Sequence, residues 1–473
     1  MKLILKSLSF LLVFSFFSCN AQPETETLLT VETTLVSFTV EEGTKTVSCS
    51  SDAAIEAVSS HPQWCTAKVI ALANSSAIEI TVSENTIAGN ERTATITVTS
   101  GNAKAITVSV KQASIPLFPD GNEKFDKLGH RFFGKAEALN YLDRNGPFIR
   151  LDDGSIFAIN GGTTYSLSND EGRTWIHHTM LDPSRFTMAS QLVCLTSKGT
   201  IIVSFSNYRE LVPLNWNNST HTYDPNAKLP NYVTYSRDNG TTWSEPLKLH
   251  DEWTGMVRDL KETEDGHIIL STQMNRNNPG RNVVFTYVST DDGETWTRSN
   301  ILDNTASSGD HSGLMEAAIL PLNDSRIWML IRTNWDYFYE SYSSDHGLTW
   351  SAYQKTDIDA STSPGALRRL KSGRIVLVWN RLSAKGETTP ERRGGDYNLT
   401  EVPTSWYRNQ ISMMYSDDDG KTWSTPFILA TDGLYSGQGL SYPHVVELTK
   451  GVLWITTDYG NLRVAIKESD LPE

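Results

Sequence analysis

Hydrophobic and polar residues alternate along much of this chain. Residues 93–99 (Thr-Ala-Thr-Ile-Thr-Val-Thr) and 106–110 (Ile-Thr-Val-Ser-Val) place apolar or β-branched side chains at every second position. Successive side chains of a strand point to opposite faces, so this pattern predicts strands with one buried face. Apolar runs at 201–205 and 327–331, each after a turn that contains Gly or Asp, predict further strands. No helical period competes with them, and we predict an all-β chain.

One eight-residue phrase, Ser-x-Asp-x-Gly-x-Thr-Trp, occurs five times, starting at Ser168, Ser236, Ser289, Ser343 and Ser416. Its Asp can accept backbone N–H bonds across a tight turn, its Gly can take positive φ, and its Trp offers a large apolar surface to a neighbouring unit. The copies begin 68, 53, 54 and 73 residues apart, which suits a four-stranded antiparallel unit with variable loops. Such a unit cannot bury both faces alone, so we predict that the units stack into a β-propeller.

The phrase is identified as the Asp-box, or BNR repeat, of the sialidase-like propellers. The resemblance implies that the boxes lie in hairpin turns at the outer rim, away from the active site. We predict that residues 130–473 form a six-bladed propeller, because six blades would take about 57 residues each, close to the shorter box spacings. Residues 116–129, with two prolines and two glycines, are the predicted linker.

Residues 28–113 resemble the BACON module, an immunoglobulin-like β-sandwich found at the start of exported glycan-degrading enzymes. The resemblance is carried by Pro-Gln-Trp at 62–64 and Val-Lys-Gln-Ala at 110–113. Such a module either binds carbohydrate or acts as a spacer, and we favour the spacer because no cluster of exposed aromatic residues is visible. Cys49 and Cys65 either pair in an oxidising compartment or, as we favour, remain two buried thiols.

The first 19 residues predict a lipoprotein signal peptide. They carry Lys2 and Lys6, an apolar run at 8–17 and a Phe-Phe-Ser-Cys ending in which Cys19 would become the acylated first mature residue; the alternative is ordinary cleavage after Ala21. We therefore expect an exported cell-envelope lipoprotein that is attached to a membrane through Cys19. The formal net charge of −14 argues against a nucleic-acid partner, because phosphate binding needs a basic field.

The resemblance also implies a site at the propeller axis. Enzymes of this fold hold a substrate carboxylate with three arginines and use a tyrosine nucleophile activated by a glutamate, because a carboxylate nucleophile would be repelled by the acidic sugar. Glu316 begins an apolar run that is followed by Arg332 and the fourth box, as in the family segment that supplies the glutamate and the second arginine. Tyr442 occupies the place of the nucleophile and Arg408 that of the third arginine. We expect no cofactor and no metal in this site.

Two parts of the family pattern do not match this sequence directly: the first arginine and the acid/base aspartate. The first arginine aligns by length with Arg144, and Arg150 is the alternative. The family keeps its acid/base aspartate between the first Asp-Gly turn and the first box, but residues 156–168 contain no Asp, Glu or His. The candidates to replace it lie in other loops: Asp259, Asp310 and His311.

These residues support three functions. The first is an exo-acting glycoside hydrolase that releases a terminal sialic acid or related acidic sugar from an oligosaccharide or glycoconjugate, with the arginines as a carboxylate clamp and Glu316 as the base for Tyr442. The second is a polysaccharide lyase in which Tyr442 or His444 removes a proton beside a uronate. The third is a propeller that only binds glycans. Product analysis separates the first two, because a lyase creates an unsaturated, ultraviolet-absorbing uronide.

Overall fold

The computed structural model describes residues 27–72, 75–395, 400–432 and 439–473, so the predicted signal peptide and Cys19 lie outside the described residues. Within these ranges the chain is built from β-strands, which confirms the all-β prediction. The helical segments there are short 3₁₀ turns at Pro119–Gly121, Tyr208–Glu210 and Glu468–Asp470. None of the described helices has the length and apolar character needed to cross a bilayer.

The chain divides into two units. The first extends to Ile115, apart from Ile87–Gly89, which belong with Pro116–Glu473 in the second. The strands of the first unit are β1 (Leu29–Val31), β2 (Leu35–Phe38), β3 (Gly43–Ser51), β4 (Ile55–Ser59), β5 (Cys65–Leu72), β6 (Ser75–Val82), β7 (Arg92–Ser100) and β8 (Ile106–Gln112). They form two sheets, in the orders β1-β3-β6-β5 and β2-β8-β7-β4. The β2–β8 pair is parallel and the other pairs are antiparallel.

Both sheets of the first unit contribute side chains to one core, which includes Val47 and Ile78 from one sheet and Val108 from the other. The alternation predicted for β8 is confirmed, because its buried and exposed positions alternate. Cys49 and Cys65 are free and buried in this core, as favoured above, and burial raises the pKa of both thiols.

The second unit begins with β9 (Glu123–Phe125), β10 (Arg131–Phe133) and β11 (Glu137–Ala138). The first sheet that follows contains β12 (Phe148–Arg150), β13 (Ile156–Gly161), β14 (Thr164–Ser168) and β15 (Ile176–Thr179), and the second contains β16 (Met188–Leu195), β17 (Ile201–Asn207), β18 (Asn231–Ser236) and β19 (Leu247–His250). The third contains β20 (Asp259–Glu262), β21 (Ile268–Arg276), β22 (Arg281–Ser289) and β23 (Thr297–Arg298), and the fourth contains β24 (Met315–Pro321), β25 (Ile327–Arg332), β26 (Tyr337–Ser343) and β27 (Gln354–Asp359).

The fifth sheet contains β28 (Ala366–Arg369), β29 (Ile375–Trp379), β32 (Gln410–Ser416) and β33 (Phe427–Thr431), with a separate hairpin of β30 (Arg392–Gly394) and β31 (Pro403–Ser405) inserted between β29 and β32. The sixth contains β34 (Ser441–Thr449), β35 (Val452–Tyr459) and β36 (Arg463–Lys467) and is completed by β11, which pairs with β36. The pair joins the beginning of the second unit to its end. Strands β10 and β9 extend the fifth sheet through β33, so part of the predicted linker is a strand.

The first strands of the six sheets contact one another in a cycle: β12, β16, β20, β24, β28, β34 and again β12. A cavity of about 550 Å³ lies between them and is lined by residues of all six. In this cavity Lys261 of β20 donates to the carbonyls of Ile319 at 2.6 Å and Leu367 at 3.1 Å, and it pairs with Asp259. Burial lowers the pKa of Lys261. Its hydrogen bonds tie three neighbouring first strands together.

The five boxes lie between the third and fourth strands of the first five sheets, whereas the cavity is lined by the first strands. In every box, Oδ1 of the Asp accepts the N–H of the Thr four residues later at 2.8 Å. Each box Trp packs in a cluster shared by two adjacent sheets: Trp175, Trp243, Trp296, Trp350 and Trp423. The boxes therefore close their own turns and join neighbouring sheets.

Candidate active site

Four of the five predicted site residues form one cluster in the second unit: Glu316, Arg332, Arg408 and Tyr442. The hydroxyl of Tyr442 donates to Oε1 of Glu316 at 2.8 Å. Nη1 of Arg332 donates to the Tyr442 oxygen at 3.0 Å and also pairs with Oε2 of Glu316. Only 7 % of Tyr442, 6 % of Glu316 and 2 % of Arg332 is exposed. The guanidinium of Arg408 lies 5.6 Å from the centre of the Tyr442 ring.

The backbone places Glu316 and Tyr442 at the beginnings of two first strands. Each is the second residue of its strand, β24 or β34. Both have left-handed backbone conformations, with φ of 39° at Glu316 and 59° at Tyr442, which are uncommon for residues other than glycine. The pairing of β24 with β25 is irregular between Met315 and Ala318, and an irregularity of this kind re-aims a side chain. Strained backbone is frequent at functional sites, where the surrounding structure holds it.

Thr362 connects the two arginines. Its hydroxyl oxygen accepts from Nη2 of Arg332 at 3.1 Å and from Nε at 3.3 Å. Its backbone carbonyl accepts from Nη2 of Arg408 at 2.8 Å. Nε of Arg408 is buried and has no hydrogen-bond partner among the described residues. Each nitrogen of the Arg332 guanidinium therefore has a protein partner, whereas Nε of Arg408 retains a donor for a ligand.

The charges of the cluster determine its protonation. Burial alone would raise the pKa of Glu316, but the charge and hydrogen bonds of Arg332 leave that pKa below its usual value, so Glu316 is a carboxylate at neutral pH. Burial and the Glu316 charge raise the pKa of Tyr442 to about 12, so its hydroxyl is neutral and donates. Burial and the charge of Arg332 lower the pKa of Arg408. Two guanidinium groups beside one carboxylate leave an excess of positive charge that favours an anionic ligand.

The contacts of Arg144 lie elsewhere. Its Nε donates to Asp143 at 2.7 Å, its Nη1 donates to Asn160 at 2.6 Å, and its guanidinium lies 4.1 Å from the ring centre of Trp175. The alternative, Arg150, donates to Leu448, Gly154 and Glu171. No described contact joins either residue to the other predicted site residues, and the assignment of a third arginine stays a prediction.

The three acid/base candidates have different surroundings. Asp259 accepts the N–H of Ile319 at 3.0 Å and pairs with Lys261 in the cavity. His311 has Nδ1 3.4 Å from Oδ2 of Asp310, and its ring centre lies 5.6 Å from that of Trp406. The Trp406 ring is in turn 5.1 Å from the guanidinium of Arg408. Described contacts therefore connect the Asp310–His311 pair with the cluster.

Three residues that hold the cluster were not predicted from the sequence. Besides Thr362, Gln273 accepts the backbone N–H of Glu316 at 2.7 Å and so supports its left-handed conformation. Arg258 donates to the carbonyls of Gly365 at 3.1 Å and Pro443 at 2.6 Å, and its charge contributes to the lowered pKa of Glu316. None of these residues lies in a recognisable motif, so only their long-range contacts reveal them.

Comparison with known proteins identifies the class. The model of the BNR repeat-like domain matches residues 212–455, about half of the chain, and the chain belongs to this family. The model of the BACON family, an N-terminal binding domain, matches residues 54–113. The protein is therefore a sialidase-like BNR domain with an N-terminal BACON module, which confirms both resemblances seen in the sequence.

Two sialidases are among its curated relatives. The sialidase of Clostridium perfringens is 25% identical over 222 residues, which cover 42% of this chain and 54% of that protein. The sialidase of Paraclostridium sordellii is 27% identical over 223 residues, covering 42% and 52%. The chain thus spans about half the length of the curated relatives it matches. Among solved structures, a sialidase of Streptococcus pneumoniae aligns with a TM-score of 0.48 at 11% identity over 90% of each chain.

Proposed function

We propose that the protein is an exo-acting glycoside hydrolase of sialidase type that releases a terminal acidic sugar from glycans. The observation that carries the proposal is the hydrogen bond from Tyr442 to Glu316 in a buried cluster with excess positive charge. A neutral phenol is a weak nucleophile and needs an adjacent base, and Glu316 is an ionised acceptor at hydrogen-bond distance. An unpartnered donor on Arg408 suits the carboxylate of such a sugar.

The chemistry would proceed in two steps. As the Tyr442 oxygen attacks the anomeric carbon, Glu316 takes the phenolic proton and the bond to the leaving-group oxygen breaks, with an acid protonating that oxygen. Water then attacks the anomeric carbon of the glycosyl-tyrosine and gives a proton to the group that protonated the leaving group in the first step. The bond to the Tyr442 oxygen breaks, and this oxygen regains the proton from Glu316. The high pKa of Tyr442 means that its proton must move as the new bond forms, because no phenolate is present beforehand.

We propose the Asp310–His311 pair as the acid/base, because its contact with Trp406 connects it with Arg408. This role can be tested with leaving groups. His311→Asn and Asp310→Asn should slow hydrolysis of natural oligosaccharides much more than that of aryl glycosides, since an activated phenol leaves without protonation. Equal losses of hydrolysis rate on both substrates would indicate that Asp259 or another group is the acid/base.

We also propose that the six sheets are the blades of a six-bladed β-propeller and that the first unit is an immunoglobulin-like sandwich. The propeller is supported by the cyclic contacts of the first strands and by the pairing of β11 with β36, which would close the ring. The sandwich is supported by the core that the two sheets of the first unit share. A crystal structure of the full chain tests both assignments.

A polysaccharide lyase is the second candidate function. It is favoured by His444, whose Nε2 lies 3.1 Å from Oδ1 of Asp458, because a carboxylate beside an imidazole supports its action as a base. The histidine is two residues from Tyr442 on the same strand.

One experiment separates these functions. The full chain is incubated with sialylated oligosaccharides, aryl glycosides of acidic sugars and polyuronates, and the products are analysed by mass spectrometry. We expect a free acidic sugar that has gained the elements of water. An unsaturated uronide would indicate the lyase, and binding without product would indicate a glycan-binding propeller.

We further propose, from the sequence, that the protein is a cell-envelope lipoprotein acylated at Cys19. Cys19→Ala should abolish acylation and release the protein from the membrane fraction. If the variant still fractionates with membranes, the lipid anchor is wrong.

A further inference from the structure

Outside the candidate active site, three side chains with metal-ligating atoms meet between the third and fourth sheets. Asp265 and His267 lie in the turn between β20 and β21, and His346 lies in the fourth box. Nδ1 of His267 is 3.1 Å from Oδ1 of Asp265, and Nδ1 of His346 is 3.3 Å from Oδ2 of Asp265. One ligand atom from each of the three residues lies within 4.8 Å of the others.

The polar contacts within this group leave one buried ring nitrogen without a well-aligned hydrogen bond among the described residues. Nδ1 of His267 is buried and forms no hydrogen bond with the described residues, although a carboxylate oxygen lies close to it. The rings of His267 and His346 stack with centres 4.0 Å apart, so two groups that repel when protonated face each other.

We propose that Asp265, His267 and His346 bind a divalent transition-metal ion of the zinc class, which would link the third and fourth sheets. Two imidazoles and a carboxylate form a ligand set that zinc accepts, whereas calcium and magnesium prefer oxygen ligands alone. Zinc bonds of about 2.0–2.2 Å in tetrahedral geometry place ligand atoms about 3.3–3.6 Å apart. The separations of 3.1 Å from Nδ1 of His267 to Oδ1 of Asp265 and 3.3 Å from Nδ1 of His346 to Oδ2 are of similar size. Water can occupy the fourth position.

The side chains have room for the adjustment that binding requires. Parallel rings cannot both direct a nitrogen lone pair at one ion, so each ring must turn about its Cβ–Cγ bond. Both side chains are partly exposed to solvent, 24 % for His267 and 34 % for His346, which allows this rotation. The hydroxyl of Thr263 donates to Oδ1 of Asp265, and such a partner orients a ligating carboxylate.

The position of His346 in its box indicates a structural role for the ion. The same position has a left-handed backbone in every box: Glu171, Asn239, Asp292, His346 and Asp419, with φ between 54° and 66°. In two other boxes this side chain reaches the preceding sheet or its turn directly, since Asp292 accepts from Thr200 and Asp419 accepts from the N–H of Asn323. A metal ion at His346 would supply the equivalent link, so its role would be to stabilise the interface between two sheets.

Metal titration of the full chain tests the proposal. After removal of metals with a chelator, ZnCl₂ is titrated by calorimetry, and thermal unfolding is recorded with and without zinc. We expect one zinc ion per chain at this site and a higher unfolding temperature with zinc, because a ligand that binds the folded state stabilises it. CaCl₂ should produce neither effect.

Two variants and a control locate the site. His346→Asn is matched to the second box, where Asn239 adopts the same backbone conformation, and His267→Asn removes the other imidazole. Each should weaken zinc binding by about tenfold or more and abolish the rise in unfolding temperature. His61→Asn, at an exposed histidine of the first unit, should bind zinc as the parent does. The proposal is overturned if the parent binds no zinc, or if both variants bind it as tightly as the parent.

Discussion

The hydroxyl of Tyr442 lies 2.8 Å from Oε1 of Glu316, although the two residues are 126 positions apart in the chain. Both lie at the beginnings of first strands and both have positive φ. A buried carboxylate that accepts from a neutral phenol is the arrangement that a tyrosine nucleophile requires. The geometry makes the pair the first target for mutation.

We expect Tyr442→Phe and Glu316→Gln each to lower kcat by about 100-fold or more, the range in which positioned acid/base groups act. The double variant should lose little more than either single variant, because the two residues act as a unit. Rates on the acidic glycoside that the parent cleaves provide the measurement. Tyr141→Phe, at a partly exposed tyrosine of the second unit, is the control and should keep full activity. Full activity in Tyr442→Phe would exclude the proposed mechanism.

Thr362 should act by positioning Arg332 and Arg408. Thr362→Val removes the hydroxyl that accepts two N–H groups of Arg332, and an unpaired buried donor costs about 1–3 kcal/mol. We expect KM for the acidic substrate to rise about tenfold, and Thr362→Ser to restore it. Steady-state kinetics on all three proteins measure the effect. If Ser fails to rescue while both variants are folded, packing of the methyl group matters instead of the hydrogen bonds.

Glu316 should make the free energy of unfolding depend on pH in the acidic range. Its pKa is lowered on folding, so its contribution is complete above the unfolded pKa of about 4.3 and is lost as pH falls through the folded value. Glu316→Gln leaves Arg332 buried without its charge partner and should destabilise the protein at pH 7 by about 3–5 kcal/mol. Urea unfolding across pH should show this difference shrinking below about pH 4.3. Glu264→Gln, at an exposed position, is the control and should unfold at the same urea concentration as the parent at pH 7.

The box tryptophans should differ in their contribution to stability. Trp350 is 3 % exposed and donates to Oγ1 of Thr286 in the adjacent sheet at 2.8 Å, whereas Trp423 is half-buried and donates within its own turn at 3.2 Å. Trp350→Ala should therefore cost about 3–5 kcal/mol and Trp423→Ala less. Urea unfolding measures both costs. The activity of the folded fraction should be unchanged in each, and selective loss of activity would contradict the separation of boxes from the site.

The sequence determined the features that depend on neighbouring residues. The eight-residue box encodes its own turn, because its Ser, Asp, Gly and Thr supply the hydrogen bonds and the positive φ locally. Alternation along the strands determined which faces are buried, as in β8. Family resemblance then brought Glu316, Arg332, Arg408 and Tyr442 forward as one candidate site, and these four residues do meet in the second unit.

Only the tertiary structure decided which distant groups touch. Thr362, Gln273 and Arg258 support the cluster through contacts between sheets, and nothing in their local sequence distinguishes them from other polar residues of the strands and loops. Arg144 fitted the family pattern by spacing, but its charge is engaged by Asp143, its neighbour in the chain. The cluster around Asp265 likewise exists only because a turn of the third sheet meets a box of the fourth. Such contacts arise from the packing of whole sheets, which no short stretch of sequence encodes.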